Sequence, residues 1–330
     1  MIVGGHVFSW IYYELKYYYR VVKFKYKKRI ELKHYNGKKV LDIEHLNKWI
    51  YDKIIDGKPF FVGRLGGNEC LMVTYWERNS MFPFRTDARA DRLRDLCKGA
   101  GFFPQDINMG EKFVRLMEES LGEIDLIGAW NLYMEEYLLH AYAKKPEVTF
   151  LEHLEPWQAS LATKKITPWS DALRGKKVLL IHPFAESIKE QYSKKRIQIF
   201  ANLECDGEIL PEFELEVLPA VQSINGTKTE FSNWFEALEY MIDECKRIDF
   251  DIAIVGCGAY GFPLAAAIKK MGKSAIHLGG ATQLMFGIRG VRWDKHENDL
   301  YREMVNEAWC RPMESEKPQK ANEIEGGCYW

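Results

Sequence analysis

The sequence predicts an α/β fold, a Rossmann-like parallel sheet with helices on both faces. Three observations predict it. Short apolar runs alternate with helix-length amphipathic segments from residue 42 onward, and one such run, Asp249 to Val255, empties directly into Gly256-Cys257-Gly258-Ala259-Tyr260-Gly261. The seven cysteines, at 70, 97, 205, 245, 257, 310 and 328, form no CxxC pair, the pattern of reduced thiols, and 330 residues bury a sizeable core without disulfide or zinc.

Taken in order, Asp42 to Ile55 reads as an amphipathic helix closed by Gly57, and Pro59 to Val62 as a buried strand ending at Gly63, with a helix from about Cys70. Asp125 to Trp130 is the next strand, followed by a helix over Tyr133 to Ala143 and a short strand, Val148 to Leu151. Lys177 to Ile181 is an apolar strand with His182-Pro183-Phe184 as its turn and a helix over Ser187 to Ala201. Glu216 to Pro219 and a helix over Phe231 to Lys246 lead into the glycine-rich segment. There, Pro263 to Met271 reads as a helix stopped by Gly272, and Ser274 to Leu278 as a strand. The whole is a βαβ unit whose glycines turn tightly and bring N–H groups to a phosphate at the helix N-terminus. The bland alternative is a glycine turn that permits close helix packing. A dinucleotide site needs an acidic residue about 20 positions on. The strand instead ends in His277-Leu278-Gly279-Gly280, which disfavours NAD and favours a mononucleotide or nucleotide-sugar.

In a parallel sheet ligands gather at the C-terminal strand ends, which nominates loops 63–69, 130–132, 182–187 and 256–261. Arg64 suits a phosphate through its planar fork. Glu69, near a helix N-terminus, reads either as compensating the helix dipole or as a metal or sugar-hydroxyl ligand, and Asn68 as a left-handed turn residue. His182 is expected to touch a phosphate or leaving group if protonated, or else to be structural. His277 is either a ligand contact or a core hydrogen-bonding group, and Glu186 and Ser187 are candidate caps. Glu155, just after the fourth strand, is the preferred acceptor-activating base, its alternative being a solvated loop carboxylate. Trp130, Trp157, Tyr260 and Trp293 are candidates to stack on a base or sugar, or else belong to the core.

Phe60 to Leu71 resembles the N-terminal signature of the GT-D glycosyltransferases, in which an Arg, a Gly and an Asp-x-Glu triplet close a strand and hold a nucleotide-sugar diphosphate with a divalent cation. The second half is similar to a largely uncharacterised group among bacterial surface-polysaccharide biosynthesis proteins, on His182 to Ile188, Leu210 to Phe213, Gly256 to Gly261, His277 to Trp293 and Glu325 to Trp330. The resemblance implies a GT-D-like nucleotide-sugar-binding domain over residues 40–330. It also implies transfer of a sugar from a nucleoside-diphosphate donor to a saccharide acceptor, a lipid-linked one being a candidate, in capsule or O-antigen assembly. Arg64 matches the motif arginine and Glu69 the motif glutamate, while the aspartate falls on Gly67 and the middle residue on Asn68. Hard cations take mostly oxygen ligands, so one carboxylate replaces two poorly. Either Mn or Mg binds weakly at Glu69 with the Asn68 carbonyl, or Arg64, backbone N–H groups and His182 neutralise the diphosphate. The expected nucleotide-sugar contacts are Arg64, Gly66, Gly67, Asn68, His182, Gly256, Gly258, Tyr260, Gly261 and His277, with Glu69 and Glu155 as catalytic candidates.

Net charge is −1, so no global field selects nucleic acid, and no nucleic-acid-binding module is recognisable. Residues 1–39 nevertheless carry ten basic side chains and two acidic ones, interleaved with Phe8, Trp10, Tyr12, Tyr13, Tyr17, Tyr18, Tyr19, Phe24 and Tyr26. That is the composition of an interfacial membrane helix; the alternative is a stripe packed on the body. No cleavable signal is expected, because the apolar start Met1 to Tyr13 precedes the charges. Ile252 to Ile268 is uncharged but contains three glycines and Pro263, a strand-loop-helix composition rather than a span. The expectation is a cytoplasmic protein, peripheral on the inner face of the plasma membrane. Two rival functions stand beside glycosyl transfer: a non-catalytic nucleotide- or saccharide-binding partner in an assembly complex, and an NAD-dependent sugar-modifying enzyme.

Overall fold

Val178-Leu179-Leu180-Ile181 and Ile252-Ala253-Ile254-Val255 are apolar at every position, as strands covered on both faces must be. The computed structural model describes residues 3–25, 32–162, 165–294, 299–318 and 329. Among them, in chain order, lie α1 (Val3–Lys23), β1 (His34–Tyr35), β2 (Lys38–Leu41), α2 (Ile43–Asp56), β3 (Phe61–Gly63), α3 (Gly67–Met81), α4 (Arg89–Ala100), α5 (Ile107–Leu121), β4 (Leu126–Ala129) and α6 (Glu135–Tyr142). Then follow β5 (Glu147–Phe150), α7 (Gln158–Ala162), β6 (Lys177–His182), α8 (Ala185–Ile199), β7 (Glu214–Pro219), α9 (Trp234–Arg247), β8 (Ile252–Val255), α10 (Gly261–Lys270) and β9 (Ser274–His277). The nine strands described form one sheet in the order β1-β2-β5-β4-β3-β9-β8-β6-β7, parallel except for the β1–β2 pair. The protein is therefore of mixed α/β class, with a Rossmann-like sheet flanked by helices on both faces.

Side-chain alternation divides the core in two. Leu179, Ile181, Ala253 and Val255 join the layer that holds α3, α5, α9 and α10, while Val178, Leu180, Ile252 and Ile254 join the layer that holds α2 and α8. Local signals set the helix ends. Asp42 caps α2 by accepting from the His45 N–H at 2.9 Å, Gly57 closes it with φ 70°, and Asn233 caps α9.

After β6 the chain enters α8 on one face, whereas after β8 it enters α10 on the other. Neighbouring β6 and β8 thus send their chains apart, which leaves a crevice at their C-terminal ends, the switch point where α/β sheets bind ligands.

The N-terminal arm differs from an appendage. Trp10 is buried, its ring 4.8 Å from that of Tyr137, and Arg20 is buried in an ion pair with Glu136. The expectation that Trp10 meets lipid is corrected: its face of α1 packs on α6. The sheet also takes up residues 34–41, across the expected boundary at residue 39. Tyr26, Lys27, Lys28, Arg29 and the ending Glu325 to Cys328 lie outside the described residues.

Candidate functional site

Three of the four nominated loops line a single cavity of about 280 Å³ at the C-terminal ends of β3, β6 and β8, and the fourth, 130–132, contributes Trp130. From the first loop come Arg64, Gly66, Gly67, Asn68 and Glu69; His182, Pro183 and Phe184 follow β6; Gly256, Cys257, Gly258 and Tyr260 follow β8.

Arg64 is the cationic centre of this wall. It makes no ion pair among the described residues, its Nε is buried without a hydrogen-bond partner, and its guanidinium lies 5.2 Å from the centre of the Trp130 ring. Trp130, 40% exposed, is fixed by donating its indole N–H to the Leu65 carbonyl at 3.0 Å. Beside them α3 begins without a side-chain cap, since its N-cap residue is Gly66. The first N–H groups of a helix have no intrahelical acceptor; Glu69's carboxylate meets its own N–H, and Gly67 and Asn68, whose N–H groups precede it, line the cavity. A planar cation, a helix N-terminus and an aromatic face together suit an anionic group attached to a flat ring.

Glu69 is the one carboxylate among the described lining residues. It is buried, and burial raises its pKa against the opposing pull of its own backbone N–H and of Arg64. A side chain at Gly66 would fall on this carboxylate, so glycine there makes room for it. Glu69 sits in the first turn of α3 and lines the cavity.

The histidines depart from expectation. His182 accepts the Phe184 N–H at its Nδ1, 3.0 Å away, and burial pushes its pKa down to about 3. It is neutral at ordinary pH with its proton on Nε2, so the expected charged contact is corrected to that of a neutral donor. His277 packs its ring against Gly261 and holds Nδ1 3.1 Å from the Val255 carbonyl. It too is held down to about 3, by burial and then by Arg64, so it belongs to the core as well as to the cavity wall.

Of the motif glycines, Gly256 and Gly258 line the cavity and Gly261 does not; Gly261 gives room to the His277 ring. Gly258 has φ +58° and abuts the Ala100 carbonyl, a conformation and a closeness that only glycine meets easily. Tyr260 reaches the cavity, but its ring stacks on Trp234 at 4.9 Å and its hydroxyl bonds Ser223 at 2.8 Å, so it is not free to stack on a ligand. Trp157, stacked on Phe200, and Trp293 are buried and do not line the cavity.

Glu155 is the clearest correction. It is buried, accepts from Gln158 at 3.1 Å and from Tyr301 at 3.1 Å, and is absent from the cavity wall. A base must reach the proton it takes. Glu186 and Ser187 do not cap α8 either: the Glu316 carboxylate does, accepting from the Glu186 N–H at 2.7 Å and from the Ser187 hydroxyl.

The sequence reading missed the wall formed by Gly99, Gly101, Gln222 and Ser223, and the floor at Gly279. The signal for Gln222 and Ser223 was available, since they follow the C-terminal end of β7, and Gly279 follows β9. Arg292 and Tyr329, bonded to each other at 3.1 Å, also line the cavity and had no such signal.

The residues do not fit a divalent cation held by the protein alone. Among the described residues no group of three His, Cys, Asp or Glu side chains is placed to hold one, and Gly67 stands where a second carboxylate would.

Comparison with family models and with curated proteins finds no match. One solved structure that the chain is similar to is the selenomethionine-substituted structure of domain of unknown function 1792 (DUF1792). It shares 12% identity with a TM-score of 0.38, over 82% of this chain and 96% of that one. So distant a likeness carries no weight for the chemistry. No helix among the described residues is long and apolar enough to cross a membrane.

Proposed function

We propose that the chain is a glycosyltransferase that binds a nucleoside-diphosphate sugar in this cavity and passes the sugar to a saccharide acceptor. The observation that carries the reading is Arg64: a cavity arginine with no carboxylate partner among the described residues, beside the uncapped N-terminus of α3. In this reading Arg64 and the N–H groups of Gly67 and Asn68 neutralise the diphosphate, and the neutral His182 donates through Nε2 to a phosphate oxygen. Trp130 offers the exposed ring on which the base or sugar lies. Glu69 takes the acceptor hydroxyl's proton while that oxygen bonds the anomeric carbon and the sugar–phosphate bond breaks. Burial holds its carboxylate above the usual range, which suits a base. The resemblance of Phe60 to Leu71 to the GT-D signature supports the place of Arg64 at the diphosphate, the base role of Glu69 being read from its burial in the cavity wall, and surface-polysaccharide assembly is the setting the resemblance suggests.

The lack of a second carboxylate beside Glu69 favours one rival, a non-catalytic nucleotide-binding partner. Thermal denaturation with nucleoside diphosphates and their sugars tests binding, since a ligand at 100 times its Kd stabilises by about 2.7 kcal/mol. Stabilisation by a nucleoside diphosphate, mostly lost in Arg64→Ala, is expected. Equal stabilisation of both proteins sinks the phosphate role. Release of nucleoside diphosphate from the sugar donor, lost in Glu69→Gln and kept in Glu155→Gln, separates enzyme from binding partner.

A further inference from the structure

Seven residues of α1 share a pattern that burial inside the protein does not explain. Phe8, Ile11, Tyr12, Leu15, Tyr18, Tyr19 and Val22 are 41–77% exposed, and their spacing of three and four puts them on one side of the helix. The stripe runs for roughly 21 Å at 1.5 Å per residue. It lies on the other side of the helix from Trp10, Tyr13 and Arg20, whose face docks on Tyr137 and Glu136. α1 is thus apolar on both sides, with one side satisfied.

The charges around the stripe are of one sign. Lys23 lies 5.6 Å from the Tyr19 ring centre and borders the exposed aromatics, whereas Lys16, 5.7 Å from that of Tyr12, is paired with Glu136 at 2.7 Å. The helix has a single acidic residue, Glu14, and it is turned inward to Arg85 at 3.0 Å and to the Tyr133 hydroxyl. Beyond the helix the sequence continues with Lys25, Lys27, Lys28, Arg29 and Lys33 against Glu31. Lys27 to Arg29 lie outside the described residues and enter by sequence alone.

We infer that the outer stripe of α1 lies in the headgroup boundary of an anionic lipid surface, with the exposed Lys23 and Lys25 at its C-terminal end meeting the lipid charges. An amphipathic helix lying in the plane of an interface needs an apolar stripe, a cationic border and no uncompensated acid, and α1 has all three. A second copy of this chain is the other occupant such a stripe could take, but a two-fold contact would bring the exposed Lys23 of each copy to the same apolar seam. The inference is independent of the glycosyl-transfer reading, since none of the stripe residues lines the cavity.

The test is flotation of the full chain with vesicles of phosphatidylcholine alone and of phosphatidylcholine with phosphatidylserine. Wild-type protein should rise with the anionic vesicles and be released by salt. The double variant Leu15→Gln, Val22→Gln changes exposed side chains and should melt as wild type does. Its partition should fall roughly ten-fold or more. Lys23→Glu with Lys25→Glu should lose the preference for anionic lipid. Equal binding to neutral vesicles, no flotation, or unchanged flotation of both variants overturns the inference. So does a wild-type dimer in sedimentation that the Leu15 and Val22 changes dissociate. Nucleoside diphosphate binding is measured alongside, and its persistence in a protein that fails to float would overturn the lipid surface and leave the cavity reading standing.

Discussion

Gly279 and Gly67 border the same cavity, yet their backbones ask for different things. Gly279 has φ +61°, and a side chain there would lie 2.7–2.9 Å from the Arg64 guanidinium. An L residue in that region costs roughly 1–2 kcal/mol before any contact is counted. Gly279→Ala should therefore displace Arg64 and remove most stabilisation by nucleoside diphosphate, while lowering unfolding free energy by about that amount in a urea titration. Gly67 begins α3, and the nearest atoms to a side chain there belong to Trp130 at 3.9 Å. Gly67→Asp should fold, stand a carboxylate beside Glu69, and make nucleotide binding depend on Mn²⁺ where the unaltered protein is little affected by EDTA. Strong EDTA sensitivity of the unaltered protein would show that further carboxylates complete its site. At this scale the sequence was legible where a residue's place beside the cavity follows from its position after a strand end, as for Arg64 and Glu69. It was illegible where a fold-wide choice decides the direction of a side chain, as for Glu155, which follows β5 yet turns to Tyr301.

Among elements, α1 and α6 show why the arm cannot be treated as removable. Glu136 accepts from Arg20, from Lys16 at 2.7 Å and from the Asn36 N–H at 2.7 Å, and both Arg20 and Glu136 are buried. Removing one partner of such a pair strands a charge and costs about 3–5 kcal/mol, whereas the share of a half-buried lysine such as Lys16, which still reaches water, is about 1 kcal/mol or less. Glu136→Ala should thus destabilise by about 3 kcal/mol or more in urea and Lys16→Ala by under about 1 kcal/mol. Similar small losses for both would mean α1 is held by packing alone. The amphipathic elements from α2 and from β4 onward were readable, as was the βαβ unit. The region of α4 and α5 was not read at all. α4 buries only Leu93, Leu96 and Ala100 among many charges and starts without a side-chain cap, so its periodicity is thin. β1 pairs over two residues, too short for alternation to register.

For the whole molecule, buried ionisable groups set opposing pH slopes. His182 and His277 are held near 3 by burial, against an unfolded value of about 6.5. Lowered in the folded state, they give stability that is complete above about pH 6.5 and lost as pH falls toward 3. Glu135 and Glu155 are raised by burial to about 7. Their contribution is complete below the unfolded carboxylate value and lost as pH rises through 7. Between pH 4.5 and 6.5 the two pairs oppose each other, and Glu118, raised to about 7 by burial and by Glu77, with Glu69, also raised by burial, tips the balance so that stability should decline as pH rises. Below that window the unfolded chain takes up as many as two more protons than the native one through the histidines, a slope of at most roughly 2.7 kcal/mol per pH unit. Glu155→Gln separates the limbs, because an amide oxygen can accept from Tyr301 and Gln158 without titrating. Urea midpoints across the range should show this variant equal to wild type at pH 4.5 and more stable at pH 8. If it instead loses stability equally at both values, Glu155 is not a buried neutral acid, and the alkaline slope must come from elsewhere in the protein.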